Sequence, residues 1–302
     1  MNILITGATG MLGKRLVPML KEEGMDISIL TTSQIKQNVK QKVFLWDVKN
    51  GTFPENLTQP IDIVIHLAGA NVGARRWTSR YKKEILESRA ETSLFLLKKL
   101  KEQNNLPKSY ITASGTDYYP NPSDVIFTES DLPGKQFLSE VCIAWEAVAE
   151  TWHKAGCIAQ IVRTPVVLAA GEGFMAKMMQ TAHMGIIPTT GSPKNKLSWI
   201  HAEDLCRIYR FLLDKKESGI WNAVAPQVVD MKQLVCTIDK ARGKRTLHPN
   251  VPCFMLKLML GELGTLACGS QQVSAEKLLQ AGFGYLYSTS EKAFNDIFKP
   301  KT

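Results

Sequence analysis

The sequence predicts an α/β fold in which a doubly wound parallel sheet is joined to a smaller C-terminal α+β domain. Short apolar segments alternate with longer amphipathic ones through the first half of the chain, an order that gives parallel strands with helices on both faces. The alternation loosens after about Pro165, where loops rich in Gly and Pro begin. We therefore expect one domain over residues 1–165, with a return segment at about 198–225, and a smaller domain over residues 166–302.

The first predicted element is a strand over residues 2–6 that ends at evenly spaced glycines. A strand that turns on glycine into a helix lets backbone N–H groups approach a pyrophosphate, and the helix N-terminus adds the positive end of its dipole. Apolar residues at helical spacing predict that helix from about Gly10 to Lys21. We expect this loop to bind a dinucleotide, and a tight turn with no ligand is the alternative. The expected contacts are Gly7, Thr9, Gly10, Met11, Leu12 and Gly13.

The following elements continue the alternation. Strands are predicted at residues 26–30, 43–46, 61–67, 109–113 and 157–162, and helices at residues 81–101 and 137–154. A sheet of this kind binds ligands beyond the carboxyl ends of its strands, so the residues that directly follow the strands are candidate contacts. On this basis the predicted cofactor contacts also include Thr31, Thr32, Ser33, Asp47, Ala68, Gly69, Ala70 and Thr164.

The overall composition is ordinary for a globular protein. Hydrophobic residues make up 44% of the chain and charged ones 22%, which favours neither disorder nor a membrane protein. The most apolar segment, residues 252–268, contains Lys257, Glu262 and two glycines, so it fits a buried or docking helix better than a membrane span. The first strand starts directly after Met1, and no signal peptide is visible. We expect a cytoplasmic protein with no membrane partner.

The cysteines and the net charge exclude further classes of site. The six cysteines form no Cys-x-x-Cys pair, so we expect small buried apolar side chains and neither a metal site nor a disulfide framework. The net charge of +9 comes from Lys and Arg spread along the chain, with no recognised nucleic-acid-binding motif. We therefore expect attraction of anionic ligands such as phosphorylated cofactors, and no nucleic-acid partner.

Several separated motifs, in the expected order, resemble the extended short-chain dehydrogenases/reductases, the group that contains the nucleotide-sugar epimerases. They lie at residues 6–13, 66–70 and 198–205. A second set is similar to an atypical epimerase-like subfamily, at residues 67–71, 76–78, 88–89, 141–146, 251–252 and 261–262. The resemblance covers essentially the whole chain. It implies a Rossmann-type cofactor domain with a small substrate-binding domain over the nicotinamide end, and cofactor contacts that include Leu67 and Ser88.

The resemblance also implies NADP as the dinucleotide, and the residues after the second strand agree. An NAD site needs an acidic side chain there to accept hydrogen bonds from the ribose, whereas this chain has Thr31, Thr32 and Ser33. The hydroxyl groups leave room for a phosphate, to which Lys36, Lys14 or Arg15 could supply positive charge. The arginine that often follows this strand in NADP-binding relatives is missing, so NAD stays as the alternative.

Enzymes of this superfamily usually pair a Tyr with a Lys four residues later, and the pair moves a proton while hydride passes to or from the nicotinamide. The pair should fall near residues 137–142, where neither register supplies a phenol and an ammonium group. We therefore expect Ser114 and Tyr118, which follow the fifth strand, to be the catalytic groups. The alternative is that Tyr118 packs in a turn closed by Pro120.

Other polar and aromatic residues have expected roles around the substrate. Arg76, Trp77, Trp199 and His201 are expected to line the substrate cleft, because Trp offers a flat apolar wall, Arg a fork for anions and His a proton near neutral pH. Glu146 is expected to make a hydrogen bond from helix to loop. Cys142 would be a nucleophile only if it were exposed with a lowered pKa.

Two functions follow from these expectations. The first is an NADP(H)-dependent oxidoreductase or epimerase that acts on a small polar substrate such as a nucleotide sugar, without the usual Tyr-Lys pair. The second is a non-catalytic NADP(H)-binding sensor or scaffold protein. A homodimer is left open.

Overall fold

The computed structural model of the chain describes residues 1–32, 42–55, 57 and 59–299. The strands are β1 (Asn2–Thr6), β2 (Asp26–Thr31), β3 (Lys42–Leu45), β4 (Ile63–His66), β5 (Ser109–Gly115), β6 (Ile126–Phe127), β7 (Ile158–Thr164), β8 (Val166–Leu168), β9 (Thr189–Thr190), β10 (Lys196–Leu197), β11 (Trp199–His201), β12 (Gly219–Asn222), β13 (Val229–Asp230), β14 (Asn250–Val251) and β15 (Gln272–Val273). The α-helices are α1 (Gly13–Glu22), α2 (Ser79–Glu102), α3 (Phe137–Lys154), α4 (Gly173–Met178), α5 (Ala202–Leu212), α6 (Met231–Arg242), α7 (Cys253–Leu260), α8 (Glu276–Gln280) and α9 (Ser290–Ile297). Short 3₁₀ segments lie at Thr116–Tyr118, Met179–Met184 and Gly261–Cys268.

The main sheet has seven strands in the order β12-β7-β5-β4-β1-β2-β3, and all neighbouring strands are parallel. From β1 the chain adds β2 and β3 on one side, and from β4 it adds β5, β7 and β12 on the other side. This is the doubly wound arrangement. The predicted α/β fold is thus confirmed. The carboxyl ends of β1, β4 and β5 meet at the centre of one edge of this sheet, where such folds bind their ligands.

Alternating residues of β1 show how the two faces of the sheet are covered. Ile3 and Ile5 pack into a core that includes residues of α1, α5 and α6, whereas Leu4 packs on the opposite face with residues of α2 and α3. Successive side chains of a strand point to opposite faces, so an uninterrupted apolar strand indicates helices on both sides. Helices α2 and α3 therefore lie together on one face, beside the loops after β4 and β5.

The first helix begins later than its apolar pattern predicts, at Gly13 and not at Gly10. The Gly10 amide donates to the Gly7 carbonyl at 3.0 Å, so the chain makes a tight turn there, and Leu12 takes the N-cap position. The loop that carries the glycines is thereby kept out of the helix. The helix predicted at residues 137–154 agrees with α3 at both ends.

The chain beyond β7 forms short paired strands and helices, and β12 returns to the main sheet beside β7. Residues 269–271 are hydrogen-bonded to the loop after β5: the Ser270 amide donates to Asn121 Oδ1 at 2.8 Å, and the Ser123 amide donates to the Ser270 carbonyl at 2.8 Å. These bonds hold the segment 253–269 beside the carboxyl end of β5. No helix in the described part of the chain is long and apolar enough to cross a membrane.

Two sequence expectations about this C-terminal segment are wrong. Cys253 and Cys268 form a disulfide, because α7 and the following 3₁₀ segment fold back and bring their Cα atoms to 5.8 Å, a proximity that scattered cysteines do not reveal in a sequence. Cys142, Cys157 and Cys206 are buried as expected, and Cys236 is half-buried. For the segment 252–268, the buried-helix alternative is also wrong, since α7 has no buried residue and exposes 79% of Leu258, whereas the docking-helix alternative is not contradicted.

Candidate functional site

The loop between β1 and α1 is shaped by glycines that no other residue could replace without movement. Gly7 has a φ of +71°, and a Cβ atom there would lie 2.6 Å from the carbonyl carbon of Leu67 after β4. A Cβ atom on Gly13 would lie 2.5 Å from the Cα of Ala8. Thr9 and Gly10 form the exposed outer side of the loop. The glycines thus allow the loop to pack on the end of β4 while its outer side stays open to a ligand.

The backbone of this loop suits a diphosphate. In the part of the chain that the structure describes, the amides of Met11 and Leu12 donate to no protein acceptor, and they precede the ten-residue helix α1. The positive end of the helix dipole lies at the same place. The six predicted residues of the loop are therefore brought together in an arrangement that fits the diphosphate of a dinucleotide.

The end of β2 and the residues near it fit a cofactor less completely. Thr31 is buried at the strand end and Thr32 is exposed, whereas Ser33 and Lys36 lie outside the described residues. Lys14 is exposed, but Arg15 donates to the Met11 carbonyl at 2.7 Å and pairs with Glu172 at 3.0 Å. Of the two basic residues at the start of α1, Lys14 is therefore the one left for an anionic ligand.

Asp47 after β3 is used by its own turn. Its carboxylate accepts from the amides of Lys49 and Asn50 and from the side chain of Asn50 at 2.8–3.2 Å. The hydrogen bonds from Asn50 hold the pKa of Asp47 below its usual value. Thr164 at the end of β7 donates its hydroxyl to the Val162 carbonyl.

The segment Leu67 to Ala70 after β4 is held by the helix α2. The Ala70 amide donates to Ser88 Oγ at 2.9 Å, and Arg89 Nη2 donates to the Ala70 carbonyl at 3.0 Å. A Cβ atom on Gly69 would lie 3.0 Å from the Arg89 guanidinium carbon, so the loop rests directly on that side chain. Ser88 therefore holds the loop in place from its position on α2.

His66 at the end of β4 is fixed and neutral. It is fully buried, and burial lowers its pKa to about 3. Its Nδ1 atom lies 2.9 Å from the Thr6 hydroxyl at the end of β1, which joins the two strands that carry the cofactor loops.

Ser114 at the end of β5 belongs to a buried polar network. Its hydroxyl donates to Glu146 Oε1 at 2.7 Å, and Glu146 in turn pairs with Arg163 of β7 at 2.7 Å. Arg163 also donates to the Tyr119 hydroxyl at 2.8 Å, which donates to Asn222 Oδ1 at 2.8 Å. Glu146 is thus held by hydrogen bonds as expected, but its partners Ser114 and Arg163 lie on strands and not in a loop.

Tyr118 lies in the 3₁₀ turn after β5. The Arg163 guanidinium stacks on its ring at 3.5 Å from the centroid, and the ring of Tyr119 contacts it edge-on at 5.4 Å. Within the described residues the Tyr118 hydroxyl has no hydrogen-bond partner, so it can bind a ligand oxygen. The packed ring agrees with the alternative in which Tyr118 packs in a turn. The hydroxyl, which has no partner among the described residues, agrees with a catalytic role.

A cleft of about 570 Å³ lies between the loop after β5, the start of α3 and the segment 253–269. Trp77 lines it as predicted and contacts Phe137 edge-on at 5.1 Å. The described residues that line the cleft include Asp117 but neither Ser114 nor Tyr118. Burial raises the pKa of Asp117 to about 6. The sequence places Asp117 among the candidate residues after the fifth strand, but nothing in it signals that this carboxyl group is half-buried and has no cation beside it among the described residues.

Three of the four residues expected on the substrate cleft lie elsewhere. Arg76 donates to the Leu258 carbonyl at 3.4 Å and is directed at α7. Trp199 is fully buried in the core, since β11 packs beneath α5 and α6. His201 caps α5 by accepting from the Glu203 amide, and it borders a separate cavity of about 510 Å³. Strand β11 turns these two rings away from the cleft, a direction that a sequence does not reveal.

The region of α3 where the sequence analysis expects the superfamily's Tyr-Lys pair is apolar. Leu138, Val141 and Cys142 are buried. Burial raises the pKa of Cys142 to about 12, with the nearby Asp117 and Glu146 acting in the same direction. The thiol therefore stays protonated and is not a nucleophile.

Comparison with known proteins identifies relatives along the whole chain. The model of the NAD dependent epimerase/dehydratase family matches residues 3–223, and that of a domain of unknown function (DUF1731) matches residues 251–297. An epimerase family protein of Staphylococcus aureus strain NCTC 8325 is 32% identical over 300 residues, which cover 98% of each chain. The epimerase family protein YfhF of Bacillus subtilis strain 168 is 31% identical over 299 residues, again 98% of each chain.

Solved structures agree with this assignment. The human epimerase family protein SDR39U1 (isoform 2), solved with NADPH, matches with a TM-score of 0.87 at 25% identity over all of both chains. A nucleoside-diphosphate sugar epimerase from Corynebacterium glutamicum matches with a TM-score of 0.77 at 26% identity, over 98% of this chain and 58% of that one. UDP-glucose 4-epimerase of Thermotoga maritima, at 17% identity and a TM-score of 0.81, shows the fold alone. The chain belongs to the NAD-dependent epimerase/dehydratase family, as its motifs indicate.

Proposed function

We propose that the protein is an NADP(H)-dependent oxidoreductase or epimerase that acts on a small polar substrate in the cleft beside Asp117. The observation that carries this proposal is the glycine loop, where the backbone requires Gly7 and leaves the Met11 and Leu12 amides free for a diphosphate. When bound there, the cofactor supplies hydride exchange at its nicotinamide ring. The residues that would hold it are the predicted contacts of the loops after β1, β2, β4 and β7.

NADP is the proposed dinucleotide. Strand β2 ends in Thr31 and Thr32, where an NAD site needs a carboxylate for the ribose. Lys14 directly follows Gly13 in the sequence and is exposed. It forms no ion pair with any described residue. The human relative solved with NADPH supports the same choice.

The proposed substrate carries negative charge. Lys135 and Lys257 line the cleft from the start of α3 and from α7, and neither pairs with a carboxylate in the described part of the chain. Glu262, also on the cleft, is paired with Lys82. A nucleotide sugar is one such substrate, and the similarity to the nucleoside-diphosphate sugar epimerase of Corynebacterium glutamicum supports it.

Ser114 and Tyr118 do not line the cleft themselves, but both lie within three residues of Asp117 at the end of β5. They are proposed to orient the reacting hydroxyl or carbonyl group there. Ser114 gives its hydrogen to Glu146, so it can only accept a hydrogen bond from a substrate hydroxyl. The free hydroxyl of Tyr118 can donate one to a carbonyl oxygen. Ser114 would thus contact the alcohol form of the substrate and Tyr118 the carbonyl form, the two forms that the oxidation or reduction interconverts.

The experiment incubates the purified protein with NADPH or NADP and a panel of carbonyl compounds, alcohols and sugar nucleotides. We expect turnover with at least one anionic compound, and its loss in Tyr118→Phe and Ser114→Ala. Tyr209→Phe is the matched control, because that buried hydroxyl has no partner among the described residues and lies in the core with α5. Equal turnover in all variants would contradict the proposed roles.

A non-catalytic NADP(H)-binding sensor is the second candidate function. The residues in the two possible registers of the usual Tyr-Lys pair favour it, because neither Phe137 with Val141 nor Leu138 with Cys142 supplies a phenol and an ammonium group. Tight NADPH binding without turnover on any compound of the panel would select this function over the first.

A cytoplasmic location and a homodimer are also proposed. The disulfide of Cys253 and Cys268 counts against the location, because disulfides persist mainly in oxidising compartments. Cell fractionation tests the location, and light scattering of the purified protein tests the dimer through its molar mass.

A further inference from the structure

Two side chains from outside α3 converge on the place where relatives carry their Tyr-Lys pair. We infer that Asp117 transfers the proton that the missing tyrosine would transfer, and that Arg89 supplies the positive charge of the missing lysine to the bound dinucleotide. The inference rests on the proposed NADP(H)-dependent function. It assigns residues to two roles which the proposed function leaves open, namely proton transfer and positive charge beside the dinucleotide.

Asp117 has the position that proton transfer requires. It lines the cleft, and its carboxyl group lies close to Cys142 of α3, which takes the place of the lysine in one of the two possible registers. A Cβ atom on Gly115 would lie 3.7 Å from Asp117 Oδ2 and 3.5 Å from Cys142 Sγ. The backbone fixes the turn, because Ser139 on α3 donates its hydroxyl to the Asp117 carbonyl at 2.7 Å.

The surroundings of Asp117 determine the balance between the protonated and ionised states of its carboxyl group. No cation pairs with it in the described part of the chain, and burial raises its pKa to about 6. Cys142 of α3 lies beside it and stays neutral, and the charged residues Lys135, Lys257 and Glu262 line the same cleft. A carboxyl group with such a pKa is present in both protonation states near neutral pH, as a general acid or base needs.

Arg89 reaches the same region from α2. Its guanidinium group lies over the ring of Trp145 at 4.9 Å and donates to the carbonyls of Ala70 and Ile85 at 3.0 Å. It forms no ion pair among the residues described, although it is only partly exposed. A partly buried guanidinium group without a carboxylate partner raises the free energy of the folded protein. An anionic or hydroxyl-rich ligand at the loop after β4 would supply the missing partner.

The proton balance is simple. When a substrate carbonyl carbon gains a hydride, its oxygen takes the proton of the Asp117 carboxyl group, which gives an alcohol and a carboxylate. The carboxylate regains its proton from solvent through the open cleft. In the opposite direction the carboxylate takes the proton of the substrate hydroxyl as the carbon loses hydride.

The test of Asp117 begins with ¹³C NMR of the ligand-free protein labelled at aspartate carboxyl groups. We expect one resonance to titrate near pH 6 and to disappear in Asp117→Asn, while Asp124→Asn, an exposed control, leaves it. Turnover in Asp117→Asn should fall about 10²–10⁴-fold while NADPH affinity stays within about twofold. A titration near pH 4, or turnover within a few-fold of the wild type, would overturn the role of Asp117.

The test of Arg89 measures NADPH affinity by calorimetry. We expect Arg89→Met to bind NADPH about tenfold or more weakly, the scale of a lost charge-assisted hydrogen bond, and Arg89→Lys to restore part of the affinity. Arg80→Met, at an exposed position of the same helix, is the control. Should Arg89→Met not fold, Arg89→Lys with Arg89→Gln gives the same comparison.

The outcomes separate this inference from the proposed function. A wild-type protein that binds no NADPH overturns both. A wild type that binds NADPH while folded Arg89→Met binds it equally well overturns the role of Arg89 and leaves the proposed function standing.

Discussion

Glu146 on α3 and Arg163 on β7 form a two-point ion pair in the interior. Arg163 Nε donates to Oε1 at 2.8 Å and Nη2 donates to Oε2 at 2.7 Å, with side chains 1% and 9% exposed for Arg163 and Glu146. Ser114 donates to the same carboxylate. The pair therefore ties α3 to β5 and β7, the elements that carry the candidate catalytic segment.

Glu146→Gln is expected to lower the free energy of unfolding by about 3–5 kcal/mol, because it leaves the buried Arg163 without a carboxylate. Urea denaturation measures the loss. The control is Glu150→Gln, which removes an exposed pair with Lys154 at 3.6 Å and should cost less than about 1 kcal/mol. Similar losses in the two variants would contradict the structural importance of the buried pair.

Gly7→Ala is expected to destabilise the protein more than Gly51→Ala. Both glycines have a positive φ, +71° and +69°, so each alanine carries a backbone strain of about 1 kcal/mol. Only the Cβ at position 7 would overlap the Leu67 carbonyl group, whereas that at position 51 meets nothing within 4 Å. The extra loss should be about 1–3 kcal/mol by urea denaturation, and equal losses would show that the loop does not pack on β4.

The stability of the protein is expected to fall as pH rises from about 4 to about 6 through Asp117. Its pKa is raised from 3.8 to about 6 in the folded state, so between these values the folded protein holds a proton that the unfolded chain has released. Asp117→Asn cannot ionise. Its unfolding free energy relative to wild type should therefore rise between pH 4 and pH 7, by about 3 kcal/mol at most, and a difference independent of pH would contradict the buried carboxyl group.

The Cys253–Cys268 disulfide predicts the thiol content of the denatured protein. Four of the six cysteines should react with a thiol reagent before reduction, and all six after it. Reduction opens a loop with a sequence separation of 15, which should lower the free energy of unfolding by about 3 kcal/mol. Cys236→Ser, which removes an unpaired thiol, should show the same response to reduction as the wild type, and six reactive thiols before reduction would refute the bond.

The sequence was sufficient to predict the elements whose physics is local. Glycine spacing after the apolar residues Ile3, Leu4 and Ile5 indicated the loop at residues 7–13, and helical periodicity gave α3 at both ends. The start of α1 was missed by three residues, because the turn in which the Gly10 amide donates to the Gly7 carbonyl competes with the helix.

The sequence could not predict features that depend on how distant segments meet. Trp199 and His201 were expected on the cleft, yet the direction of β11 turns them to the core and to a separate cavity. Asp117 gained its raised pKa only through packing against α3. Cys253 and Cys268 meet because α7 folds back, which no spacing rule indicates.

Calorimetric titration of the wild-type protein and of Gly7→Ala with NADPH tests whether the glycine loop binds the dinucleotide. We expect the wild type to bind one NADPH per chain, more tightly than NADH, and Gly7→Ala to lose that binding at a temperature where the variant is still folded. Absence of binding heat with either dinucleotide, or unchanged binding in folded Gly7→Ala, would refute this role of the loop.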